Sequence, residues 1–184
     1  MSAKQKKMQG YLNSLTVALN NLDLGQIDAI VRVLKSTKTR NSNIYIFGNG
    51  GSAATASHMA NDLAKKSGLK AISLVDNISI LTAWANDVAY SEVFRKQLET
   101  LLRPGDVVVV ISASGESENV IKAASYASSQ GNKLIVLTGF EPKNRLAKIA
   151  DIAVVVQSHD YGIVEDIHLT LNHIISDSLF SLFV

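Results

Sequence analysis

Asp106-Val107-Val108-Val109-Val110-Ile111-Ser112-Ala113-Ser114-Gly115-Glu116-Ser117 decides the architecture. The β-branched run Val107-Val108-Val109-Val110-Ile111 has no polar face, so the strand is buried on both sides, as in a parallel sheet covered by helices. Pro104-Gly105 turns the chain into it, and three serines crowd the loop behind it. A helix follows over about 117–130 and stops at Gly131. The same grammar repeats outward in both directions. Upstream, 43–47 is an apolar strand stopped by Gly48 and followed by a helix over about 52–66. A second strand spans 70–75, and helical patterns occupy 78–86 and 90–102. Downstream come a strand at 134–137, a short helix from Pro142 to about 149, a strand at 152–156 and a last helix from about 162. Residues 8–36 carry leucines and isoleucines at helical spacing, with a break near Gly25. Helices alternating with buried strands predict an α/β fold: a doubly wound, five-stranded parallel sheet in a flavodoxin-like three-layer arrangement. We read one domain over 1–184, with an N-terminal helical arm (1–40) and the sheet and its helices (41–184).

Apolar side chains are 47% of the chain and charged ones 18%, a globular balance that argues against disorder. The net charge of +2 is too small for a nucleic-acid footprint. The one basic patch, Lys4-Gln5-Lys6-Lys7, reads as a solvated helix start. The absence of cysteine excludes disulfides and thiolate metal sites and fits a reducing cytoplasm. No charged start followed by an apolar run resembles a signal peptide. No apolar stretch approaches the roughly 20 residues of a membrane span. The expectation is a cytoplasmic protein with neither a membrane nor a nucleic-acid partner. The arm and the last helix (Leu169, Leu171, Ile174, Ile175, Leu179, Phe180, Leu182, Phe183) hold more apolar surface than one small sheet covers, which points to burial between copies of the chain.

Two strand-to-helix loops suit a phosphate. Gly48-Asn49-Gly50-Gly51-Ser52 lets backbone N–H groups approach an anion at a helix N-terminus. It completes neither the dinucleotide fingerprint, since Ala53 stands at the third glycine position, nor a Walker A loop. Ser112-Ala113-Ser114-Gly115-Glu116-Ser117 adds hydroxyls at the carboxyl end of a strand, where open α/β sheets bind ligands. No arginine clamp accompanies either loop, so the phosphate is held rather than transferred. His58 and Asp62, four apart on the helix behind the first loop, share a face and can bind zinc or act as base and acid.

The serine loop resembles the sugar isomerase (SIS) domain, and the wider pattern resembles the phosphoheptose isomerases. Their motif Gly-Asn-Gly-Gly-Ser-Ala-Ala-x-x-x-His is reproduced from Gly48 to His58. Ala85-Asn86-Asp87, Val93-Phe94 with Gln97, Arg103-Pro104-Gly105-Asp106 and Leu137-Thr138-Gly139 match further stretches, in order over roughly 10–180. The resemblance implies interconversion of sedoheptulose 7-phosphate and a glycero-manno-heptose 7-phosphate by a zinc-containing homotetramer with active sites at subunit interfaces. It implies substrate contacts from Asn49, Gly50, Gly51, Ser52, Asn86, Asp87, Ser112, Ala113, Ser114, Ser117 and Glu165. It implies metal ligands at His58, Asp62, Glu165 and His173, with Asp62 (or else Glu165) and His173 as the catalytic carboxylate and histidine.

Two positions depart from the family: Asp62 replaces a glutamate, and Glu165 replaces a glutamine. Glu165 and His173 are eight residues apart, about 12 Å along an ideal helix. They share an ion only if the first turn is irregular or another element supplies ligands between them; spacing alone pairs Asp166 with His173. His159 and His168 read as structural. The alternative function is a non-catalytic sugar-phosphate-binding regulator that acts through a protein partner, and a third is an isomerase for a hexose or pentose phosphate.

Overall fold

The computed structural model describes residues 1–182. Phe183, expected in the last helix, lies outside them. Five parallel strands run in the order β2-β1-β3-β4-β5: β1 (Asn43–Gly48), β2 (Lys70–Ser73), β3 (Val107–Ser112), β4 (Lys133–Gly139) and β5 (Ile152–Val156). The helices are α1 (Ala3–Asn20), α2 (Leu24–Arg40), α3 (Gly51–Ser67), α4 (Ile78–Asp87), α5 (Val93–Leu101), α6 (Glu118–Ser129), α7 (Arg145–Ile149) and α8 (Tyr161–Phe180). The doubly wound sheet of the sequence reading is therefore present.

The pleat sorts the strand residues between two cores. Ile44, Ile46, Val107, Val109, Ile111, Ile135 and Leu137 face one side, with α2, α3 and α8. Tyr45, Phe47, Val108, Val110, Leu134 and Val136 face the other, with α5 and α6. Phe47 stacks on Phe94 of α5 with ring centroids 4.8 Å apart, worth about 1 kcal/mol beyond area burial.

The N-terminal helices break at 21–23 rather than at Gly25. Asp23 accepts from the N–H groups of Gly25 and Gln26, so Gly25 falls in the first turn of α2. Helix α2 buries Ile27, Ile30, Val31 and Leu34 and so covers the sheet. Helix α1 buries Ala18 alone and exposes Met8, Leu12 and Val17.

The strand order reverses between β1 and β3, and their carboxyl ends align, with Gly48 opposite Ile111. This topological switch point is where a doubly wound sheet opens a crevice, and both glycine- and serine-rich loops leave from it.

Candidate active site

The first loop enters α3 through Gly50, whose φ of +56° and ψ of −124° suit glycine. No side chain caps α3; Ser52 lies inside the first turn and is buried. The helix thus begins without a side-chain anion of its own at its N-terminus.

The second loop is held from behind. Gly115 has φ +66°, and a β-carbon there would run into Asn144. The Asn144 amide is buried and donates to Thr138 Oγ1, Gly139 O and Glu141 O at 3.2, 3.1 and 2.9 Å. Ser112 Oγ accepts from Gly115 N at 3.2 Å, and Ser114 Oγ from Glu116 N at 3.3 Å. The two loops are tied together by a reciprocal amide pair, Asn49 with Asn119, at 2.8 Å each way. Tyr90 Oη donates to Asn49 Oδ1 at 2.9 Å.

Between the loops lies a cavity of about 100 Å³, lined by Asn49, Ser52, Ser112, Ala113, Ser114, Ser117, Tyr161 and Glu165. All but Tyr161 were singled out from sequence. A groove of about 800 Å³ along the β2 edge contains none of them. The small cavity is the better candidate because it sits at the switch point and gathers convergent polar groups. Gly51 stands at its rim, and a β-carbon there would strike the Glu165 carboxylate. Asn86 and Asp87 lie apart from the cavity's lining. They are exposed at the end of α4 and bonded to each other at 2.8 Å.

Along the same helix α3, His58 and Asp62 meet His173 of α8. Asp62 Oδ2 is 3.4 Å from His58 Nε2 and 4.0 Å from His173 Nε2, and the two Nε2 atoms are 3.4 Å apart. A tetrahedral zinc with bonds of about 2.0–2.2 Å spaces its ligand atoms about 3.3–3.6 Å apart. Two of the three separations match that spacing and the third is about 0.4 Å wider, so with a small side-chain adjustment the two imidazoles and one carboxylate could hold such an ion and leave a fourth position open, as catalytic sites do. The side chains of His58 and His173 are 43% and 48% exposed, so the group is accessible.

Glu165, expected as a fourth ligand, is not in this group. Helix α8 is regular from Tyr161, so the two turns between Glu165 and His173 are not shortened. Its carboxylate lines the cavity between the two loops instead. Asp166, which spacing alone paired with His173, accepts from Tyr11 Oη of α1 at 2.7 Å. That bond pushes the Tyr11 phenol up to about 12, because ionisation would oppose the carboxylate.

His168 is fully buried, its Nε2 donating to Thr138 O at 3.2 Å. Burial drives its pKa from the ordinary 6.5 to about 4. The folded protein keeps it neutral while the unfolded chain binds a proton below about pH 6.5. Its contribution to stability is therefore intact above pH 6.5 and is lost as pH falls toward 4, on the order of 3 kcal/mol. Urea midpoints at pH 7.5 and pH 5 are expected to differ less in His168→Gln than in the parent.

Asn119, Tyr90, Tyr161 and Asn144 escaped the sequence reading. Asn119, two residues beyond Ser117 in the first turn of α6, had a local signal; the others reach the site only through the tertiary fold.

The SIS domain pattern matches residues 10–139. The phosphoheptose isomerase of Thermodesulfovibrio yellowstonii is 38% identical over 160 residues, covering 84% of this chain and 79% of that protein. That of Geotalea daltonii is 40% identical over 159 residues, covering 84% and 82%. The structure of the Neisseria gonorrhoeae phosphoheptose isomerase superposes with a TM-score of 0.90 at 29% identity, covering 96% of this chain and 99% of that one. With this sequence likeness carried over a shared fold and over both loops, the chain belongs to the phosphoheptose isomerase family of SIS-domain proteins.

Proposed function

We propose that the protein is an aldose–ketose isomerase that converts sedoheptulose 7-phosphate to D-glycero-D-manno-heptose 7-phosphate. The observation that carries this reading is the layout of α3. The helix starts at the phosphate cavity and two turns later presents His58, then Asp62, to His173. Gly51 and His58 are about 10 Å apart along the axis, comparable with the length of an open-chain seven-carbon sugar phosphate.

Ser112, Ser114, Ser117, Ser52 and the start of α3 hold the phosphate, and that remote binding positions the reacting end. In the ketose-to-aldose direction Asp62 takes a proton from C1, giving an enediolate, and returns it to C2. His173 moves the hydroxyl proton between O1 and O2. Glu165 is the second carboxylate, available as the base if Asp62 is committed to a metal. His58, Asp62 and His173 would hold zinc, which when bound supplies a Lewis acid for the sugar oxygens. A purely sugar-sensing protein has no use for this histidine–carboxylate group beside its phosphate cavity. We place the protein in the cytoplasm as a homotetramer. Its exposed α1 residues Met8, Leu12 and Val17 support association, and no described helix is long and apolar enough to cross a membrane.

The test is turnover of sedoheptulose 7-phosphate with added zinc, following the aldose by NMR. Isomerisation that stops with chelator is expected. Sugar-phosphate binding without turnover would instead favour a regulator. Glu165→Gln removes a negative charge from the phosphate cavity and is expected to strengthen inhibition by inorganic phosphate severalfold, read as a lower competitive inhibition constant.

A further inference from the structure

Helix α8 turns a face of Ile167, Leu171, Ile175 and Leu179 into the core, all buried. Asn172 is 0% exposed in their midst. Its Oδ1 is buried with no hydrogen-bond partner, a cost of about 1–3 kcal/mol that an apolar residue of similar size would avoid. The other end of the amide has a definite job. Nδ2 donates to Asp62 Oδ2 at 3.0 Å, the same oxygen that faces His58 and His173. The remaining polar contacts to Asp62 are longer: Lys66 Nζ lies 3.9 Å from Oδ2, and Asn61 Nδ2 lies 3.4 Å from Oδ1. The aspartate side chain is short and 8% exposed, so the rotation of its carboxylate is set chiefly by Asn172. Helix α8 thereby supplies two functions from adjacent positions: His173 reaches the accessible group, and Asn172 braces the carboxylate between the helices.

We infer that Asn172 is a positioning residue that holds Asp62 Oδ2 toward His58 and His173 and so tunes their affinity for a divalent cation. The inference rests on reading these three residues as a metal-binding group. Outer partners of this kind typically change metal affinity 10–100-fold when removed.

The experiment is a Co²⁺ titration of the metal-stripped full chain, read by visible absorption, together with thermal midpoints. Asn172→Leu keeps the number and branching of the side-chain heavy atoms, at a somewhat larger volume, and removes the donor. It is expected to weaken Co²⁺ binding about 10–100-fold and to shift the bound-Co²⁺ spectrum, with a smaller fall in the metal-free midpoint than Leu171→Ala produces. Leu171→Ala, which opens a cavity beside it without touching Asp62, is expected to lower the midpoint and leave affinity and spectrum unchanged. If Asn172→Leu does not fold, Asn172→Ala must reproduce the loss. Unchanged affinity and spectrum, an equal loss in Leu171→Ala, or no Co²⁺ binding by the parent would each overturn the inference. The titration uses no sugar. A normal affinity change without turnover of sedoheptulose 7-phosphate therefore strikes the substrate assignment and leaves Asn172 standing; turnover with no affinity change does the reverse.

Discussion

His173→Ala is expected to lower kcat by about 10²–10⁴-fold, the range spanned by a positioned acid–base group, while the fold survives. The imidazole is half exposed at the end of the group and supports no core contact that its loss would empty. Asp62→Ala should match the kinetic loss and add a structural one. Its carboxylate is buried and accepts from Asn172, so truncation leaves that amide wholly unpartnered, at a cost of about 1–3 kcal/mol. Steady-state kinetics with urea denaturation of both variants separates the effects. Full turnover in either variant removes that residue from the proposed chemistry. If Asp62→Ala turns over normally and Glu165→Gln does not, the base is Glu165, and the geometry of the phosphate cavity would have to admit C1 of the sugar.

Gly48→Ala should damage stability most. The added β-carbon would collide with the main-chain oxygen of Ile111 and with the Ser52 side chain. Neither can yield cheaply. Gly48 and Ile111 are paired across the two central strands, and Ser52 is anchored in the first turn of α3. Overpacking at so constrained a place is expected to cost about 3 kcal/mol or more, about 6–12 °C in Tm for a chain of this size. Because the collision is at the switch point, the two loops should also part, weakening inhibition by inorganic phosphate. Differential scanning calorimetry and phosphate inhibition check the two arms. A variant with the parent's Tm would mean that the strand ends separate freely, contrary to their buried pairing.

The two predictions act on parts of the molecule that differ in how they are encoded. The strands were legible in the sequence because burial on both faces demands unbroken apolar runs: 107–111 and 43–47 have no other use. Both loops at the switch point were legible because a glycine- or serine-rich turn between such a strand and a helix is a local feature. Six of the eight residues lining the cavity belong to these two loops, while Glu165 was indicated only by the family resemblance. His58 and Asp62 were paired by helical spacing, a local rule as well.

What depends on distant packing was not legible. The break after α1 is a separate, local case: it sits at Asp23 because a capping aspartate, rather than the nearby glycine, sets the start of α2. Tyr90, Tyr161 and Asn144 approach the loops from elements with no sequence proximity to them. The division of labour on α8 was decided in the same way. Spacing offered His173 the partner Asp166, the family resemblance offered Glu165, and the group around His173 contains neither. The packing of α8 against α3 carries His173 to Asp62 and His58, Tyr11 takes Asp166, and Glu165 is left lining the cavity between the two loops. A helix determines by itself which residues share a face; which face meets which neighbour is set by the burial of Ile167, Leu171 and Ile175, and that is a property of the whole core.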